Sequence, residues 1–351
     1  MATSPTDEQP QKQEPAAAAQ NAHPAKMEMR MPQSAHDALY SMYATNLGER
    51  LKTIENGIDP PAAPACKPFV IRLDGVAFST FTKGIVKPFD FRLTDALVET
   101  TKDLVQRFCP VLGYSQSDEI SLVFPAAIES STTTTTTTTT PTATDDDLPP
   151  AKKAKFRREP THMFGGRVQK LASVTASYAS ARLNYHLTQH TWSDLAPHIS
   201  QRMLSYTAHF DARVVPTPDT ATVMECIFWR SNFDGFRNAI SQISHAHFTT
   251  KQLHRKGLKE QLAMLADIKK IDPFTDFNPR FLYGTWVKKE QYEMTGVVNP
   301  RTGEPVPGPV LRHRIRTGSF NWADWTADDR TAFVMAKLWT DDGPPKHPLL
   351  S

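Results

Sequence analysis

The sequence predicts an α+β fold: a ferredoxin-like β-α-β-β-α-β core, followed by a helical region and a C-terminal strand pair. Three observations lead there. Short runs dense in β-formers, FVIRL (69–73), VLGYSQ (111–116), ISLVF (120–124) and HFDARVVP (209–216), alternate with two long segments of helical period. The second and third runs are separated only by Ser117-Asp118-Glu119, which reads as an antiparallel hairpin. A low-complexity block lies between the third run and the second helix, where a long surface loop costs little closure entropy.

Each element has its own warrant. The first run follows Lys67-Pro68 and stops at Asp74-Gly75. TDALVETTKDLVQRF then places Leu97, Thr101, Leu104 and Phe108 on one helical face, with Thr94 or Asp95 as the expected N-cap. GRVQKLASVTASYASARLNYHL repeats Leu171, Val174, Tyr178 and Ala181 at the spacing of a packed helix. Residues 219–261 read as helical, and FLYGTWV and VLRHRIR as a strand pair forming an accessory layer. The expected organisation is a disordered tail (1–34), a core (35–125 and 162–218), an insertion (126–161), a helical region (219–290) and an accessory segment (291–351).

Composition narrows the setting. The chain has 351 residues, enough for a sizeable core, yet only 39% are hydrophobic and 28 are proline, consistent with disordered segments around an ordered body. Three dispersed cysteines without a CxxC pair suit a reducing intracellular compartment and argue against structural zinc. Cytoplasm and nucleus both fit, and a mitochondrial address stays open. No apolar run is long enough to span a bilayer. The N-terminus lacks both the apolar stretch of a secretory signal and the acid-poor character of a transit peptide.

Net charge is only +3, so a polyanion would have to meet local patches. Residues 151–170 carry seven Lys and Arg against Glu159, and Arg312, Arg314 and Arg316 share one face of a strand. Both read equally as phosphate-contacting surfaces or as solvated ones. His245, His247 and His254 lack the Cys or carboxylate spacing of a metal site.

The chemistry is carried by acidic groups. Asp118 and Glu119 interrupt an apolar hairpin, and an unpaired buried carboxylate costs several kcal/mol. The predicted topology sets that hairpin beside Asp74 at the end of the first strand. Two carboxylates at one sheet edge make a hard oxygen site suited to Mg²⁺ and phosphates. Gly75, having no Cβ, would let backbone approach such a ligand. Successive strand residues point to opposite faces, so Asp118 and Glu119 share a site only if the turn re-aims one of them.

FVIRLDG, FSTFTKGIVKPFD, YSQSDEISLVF and HFDARVV together resemble the tRNA(His) guanylyltransferase family, over about residues 40 to 290 excluding the insertion. The resemblance implies a core similar to a polymerase palm and nucleotide addition in the 3′–5′ direction at a tRNA 5′ end. A 5′-monophosphate is first adenylylated with ATP, and the 3′-hydroxyl of an incoming GTP or other triphosphate then attacks the activated end. It implies two Mg²⁺ ions held by Asp74, the Gly75 carbonyl and Asp118, with Glu119 a further acidic group needed there. The amides of Gly75, Val76, Ala77 and Phe78 would follow the triphosphate, with Lys87 and Ser117 beside it. Arg213, Arg237, Asn238 and Lys251 are second-rank candidates for RNA or phosphate. The family also implies a homotetramer.

One departure is informative. Where tRNA(His)-specific eukaryotic members continue Trp-Arg towards His-Ile-Asn-Asn-Leu-Tyr-Asn, this chain runs from Trp229-Arg230 into SNFDGFRNAISQISHAHF. That resembles the broader guanylyltransferase-like branch, the 3′–5′ polymerases that restore missing 5′ nucleotides against a template. Strict addition of one G to tRNA(His) is the alternative. Two readings from other classes are a nucleotide cyclase or cyclic-dinucleotide synthase on a similar palm, and a non-catalytic RNA-binding module.

Overall fold

The computed structural model describes residues 62–128, 160–323 and 325–339. The predicted tail, residues 35–61, the Thr-rich and basic stretch 129–159 and residues 340–351 lie outside the described part. Six strands are present: β1 (Phe69–Gly75), β2 (Leu112–Gln116), β3 (Glu119–Phe124), β4 (Phe210–Pro216), β5 (Thr285–Met294) and β6 (Val310–Gly318). The longer helices are α1 (Phe91–Phe108), α2 (Val168–Thr188), α3 (Thr220–Phe228), α4 (Gly235–His247) and α5 (Ala327–Met335).

All six strands join one antiparallel sheet in the order β4-β1-β3-β2-β5-β6. The first four reproduce the predicted ferredoxin-like core. Strand alternation divides the side chains. Phe69, Ile71, Leu73, Ile120 and Leu122 are buried with Leu97 and Leu104 of α1 and Leu171 and Leu183 of α2. Val70, Leu112, Tyr114, Val123 and Trp286 are buried with Val223 and Ile227 of α3, Trp322 and Val334. A third cluster, including Ile240, Ile243, Phe248, Leu265 and Leu282, holds the helical region together.

Two sequence expectations need correction. The N-cap of α1 is Asp90, whose Oδ1 accepts from the Arg92 amide at 3.1 Å, and Asp95 pairs instead with Arg280. On α2 the innermost stripe is Leu171, Thr175, Ala179, Leu183 and Leu187, and Ala181 is exposed. Thr175 and Ala179 belong to that stripe, and a pattern weighted by bulk overlooks such small residues. The C-terminal strands form the expected pair and extend the core sheet: β5 pairs with β2, satisfying what would be an open edge. The arginine row of β6 does share a face, but buried Glu290 accepts from Arg314 Nε at 2.5 Å and Arg316 Nη1 at 2.6 Å. Those two charges are satisfied within the sheet.

Lys288 on β5 is fully buried; its Nζ donates to the carbonyls of Phe333 and Ala336 at the C-terminal end of α5. Burial pulls the ammonium down to about 7 from the ordinary 10.5. The unfolded chain therefore binds more protons between those values, and stability rises as pH increases from about 7 towards 10.5. Melting curves between pH 7 and 9.5 are expected to show this rise, and Lys288→Met is expected to flatten it. Parallel profiles for the two proteins would remove Lys288 as the cause.

Candidate active site

The carboxylates converge where β1 ends and the β2–β3 hairpin turns. Only Ser117 and Asp118 separate Gln116 from Glu119, which pair across the hairpin, and Ser117 takes a left-handed φ of 54° to close the turn. The Gly75 amide donates to the Asp118 carbonyl at 3.1 Å, tying the β1 terminus to that turn. Burial pushes the Asp118 carboxyl above the ordinary carboxylate range, and the charges of Asp74 and Glu119 push it the same way. Repulsion between Asp74 and Asp118 is the condition that a divalent cation relieves.

Glu119 is oriented differently. It opposes Asp74 across the β1–β3 ladder, on the face that also carries Arg72. Its carboxylate is held by Arg72 Nη2 and, at 3.2 Å, by Arg230 Nη1, which also reaches Asp234 at 2.8 Å. Arg72 Nη2 lies 3.4 Å from Asp74 Oδ1. Glu119 thus anchors two arginines on the face that also carries Asp74. Glu119→Gln is expected to cost roughly 1–3 kcal/mol, less than a fully buried pair because these side chains stay partly exposed. In urea denaturation the loss should be non-additive with Arg230→Met. Additive losses would mean that Glu119 acts elsewhere.

No group of three or more His, Cys, Asp or Glu side chains is placed to hold a metal among the described residues. Asp74, Asp118 and backbone oxygen are the candidate donors, a set that would fit Mg²⁺, which commonly takes one or two carboxylates and completes its shell with water and phosphate. Gly75 has a further structural reason: a Cβ there would lie 2.4 Å from the Phe78 ring. The expected row of triphosphate-facing amides is only partly available. The Gly75 amide is bonded to Asp118 and the Val76 amide to the His209 carbonyl at 3.0 Å. Ala77 and Phe78 begin a single helical turn, Phe78–Phe81, with Ala77 at a left-handed φ of 54°.

Asp118 opens on a cavity of about 450 Å³ whose lining includes Phe78, Lys87, Ser117, Asn238, Gln242 and Arg280. Of the expected residues, Phe78, Lys87, Ser117, Asp118 and Asn238 meet there. Asn238 arrives on α4, which starts against the hairpin because Gly235 has no Cβ; one would lie 2.6 Å from the Arg230 carbonyl and 2.9 Å from Gln116 Cγ. Gln242 Nε2 donates to Ser117 Oγ at 3.2 Å. Arg213, Arg237 and Lys251 do not line this cavity: Arg213 sits beside Asp211 on β4, Arg237 pairs with Asp234 at 2.7 Å, and Lys251 is exposed on Thr250–Leu253.

Residues 48–218 match the family model described as tRNAHis guanylyltransferase. An uncharacterized protein, R259, of Acanthamoeba polyphaga mimivirus is 32% identical over 261 residues, spanning 72% of this chain and 80% of that protein. A bacterial tRNA(His) guanylyltransferase (Thg1)-like protein solved in complex with ATP is 29% identical, with a TM-score of 0.52 over 70% of this chain and 87% of that one. Another such structure, in complex with GTP, is 24% identical with a TM-score of 0.49, covering 83% of this chain and all of that one. The chain belongs to the tRNAHis guanylyltransferase family.

Membership makes it an enzyme of the guanylyltransferase type, a nucleotidyltransferase in a family that acts on tRNA with nucleoside triphosphates. No helix among the described residues is long and apolar enough to cross a membrane. Within this guanylyltransferase fold, Arg72, Arg230, Gln242 and Arg280 escaped the sequence reading. Arg72 stands two residues before Asp74 and so on its face, a signal that strand alternation does contain. Gln242 and Arg280 reach the site through tertiary packing, which no local pattern records.

Proposed function

We propose that this guanylyltransferase adds nucleotides in the 3′–5′ direction to the 5′ end of tRNA, with Mg²⁺, ATP and GTP, as a repair enzyme of the broader branch. The supporting observation is that the Gly75–Asp118 backbone hydrogen bond joins the strand end carrying Asp74 to the turn carrying Asp118, and Asp118 lines a cavity with Lys87 and Ser117. In the first step an oxygen of the tRNA 5′-phosphate attacks the α-phosphorus of ATP and pyrophosphate leaves. In the second, the 3′-hydroxyl of the incoming triphosphate attacks the activated 5′-phosphorus, AMP leaves and the hydroxyl proton passes to solvent.

Asp74, Asp118 and the Gly75 carbonyl would hold the ions. Bound Mg²⁺ would supply charge neutralisation at the phosphates and acidify the attacking hydroxyl. Lys87 neutralises triphosphate charge from the cavity wall, and the Ala77 and Phe78 amides meet it at the open end of their turn. Ser117, fixed by Gln242, shapes the rim. Arg213, Arg237 and Lys251 lie outside the cavity and suit the tRNA backbone.

The test supplies 5′-truncated, 5′-monophosphorylated tRNA with ATP, labelled GTP and Mg²⁺. Label should enter at the 5′ end, and preferentially opposite a templating nucleotide. Addition restricted to tRNA(His) without template dependence would assign the single-G reading. Release of a cyclic nucleotide without RNA would overturn the proposal.

A further inference from the structure

A second cavity, of about 360 Å³, lies on the α3 side of the sheet, lined by Val70, Val215, Ile227, Cys226 and Trp229 with Arg72, Ser121, Glu225 and Arg230. Trp229 is 55% exposed and stacks on Phe233, itself 57% exposed, with ring centroids 5.3 Å apart and planes 8° from parallel. Trp229 lines the cavity, and Phe233, stacked on the indole, does not. Large exposed aromatics cost hydrophobic free energy, and among the described residues both rings stay more than half exposed. Two residues of the lining, Ser121 and Arg230, also line the small pocket at Ser117, Asp118 and Glu119. The aromatic platform is therefore continuous with the carboxylate site.

The electrostatics select the occupant. Within the cavity Arg72 and Arg230 are already matched by Glu119 and Asp234, and Glu225 stands on the rim. Little positive charge is left over for a phosphate. A flat, uncharged π-system fits instead, with an apolar wall, an indole to stack on and hydrogen-bonding groups at its edge. We infer that this cavity takes an unpaired nucleobase of the RNA substrate, stacked on Trp229. The inference rests on the reading that the enzyme processes an RNA end, and it deepens that reading by naming where the single-stranded part is gripped.

The experiment measures binding, apart from catalysis. The full chain is titrated into a 5′-phosphorylated single-stranded RNA 12-mer carrying 2-aminopurine, and the stacking-dependent quenching is followed. Trp229→Ala is expected to weaken binding roughly tenfold and to abolish the quenching, whereas Trp229→Phe, which keeps a ring, retains most of both. Because Trp229 is more than half exposed, Trp229→Ala should melt like the parent, and circular dichroism checks this. Unchanged RNA binding in Trp229→Ala overturns the inference, as does a change in molar mass by light scattering with RNA affinity intact, which would make the platform a contact between copies. RNA binding that depends on Trp229 in a protein that adds no nucleotide to any tRNA would sink the proposed function and leave this inference standing.

Discussion

Asp118→Ala, and independently Asp74→Ala, is expected to lower 5′-nucleotide addition by roughly 10²–10³-fold or more, the range seen when one preorganised electrostatic group is removed from an active site. β1 and the β2–β3 hairpin deliver one carboxylate each to a common edge, and burial together with the charge of Asp74 opposes ionisation of Asp118 there, a repulsion that a bound cation would relieve. Asp118→Asn keeps the volume and the turn while removing the charge, and it should be as inactive as alanine. Single-turnover incorporation of labelled GTP, with Mg²⁺ varied, reads the effect. The isostere relieves the repulsion, so its thermal stability should equal or exceed the parent's. Full activity in either alanine variant would remove these residues from the chemistry.

Much of this site was legible in the sequence because its signals are local. Asp74 follows the β-forming run FVIRL near the end of β1, and Asp118 sits in a two-residue turn between strands, so both fall at element ends whatever the exact boundaries. Ferredoxin-like topology then places those ends together. The role of Glu119 was less legible. Alternation warned that it would not share the aim of Asp118, but the arginines that claim it come from 47 residues before it and 111 after it. The C-terminal strands were legible only as a pair, for a related reason. Strand propensity locates β5 and β6 but not the edge they join, and only the Tyr114–Trp286 pairing against β2 decides that. Likewise, the spacing of Arg312, Arg314 and Arg316 was visible, while buried Glu290, which occupies two of them, is an acidic residue in a strand that looked merely amphipathic.

Trp322→Ala is expected to be the most destabilising single change in the C-terminal region, by about 3–5 kcal/mol, a large part of the roughly 5–15 kcal/mol that holds a typical domain folded. Trp322 is fully buried, its ring centroid 4.5 Å from that of Trp286 on β5 and 6.1 Å from that of Phe228 on α3. Its indole Nε1 donates to Ser231 Oγ at 2.8 Å and Asn232 Oδ1 at 2.5 Å. Those acceptors belong to the π-helical turn Trp229–Asp234, which presents Arg230 to Glu119 and Trp229 to the cavity. The segment after β6 therefore does more than cover apolar surface: it fixes the turn behind the carboxylates. Trp322→Phe separates the two contributions, since it keeps most of the ring packing and loses the donor. It should cost only about 1–2 kcal/mol in urea denaturation, yet loosen Arg230 and lower nucleotide addition by more than that stability loss accounts for at saturating substrate. A phenylalanine variant with full activity would confine Trp322 to packing.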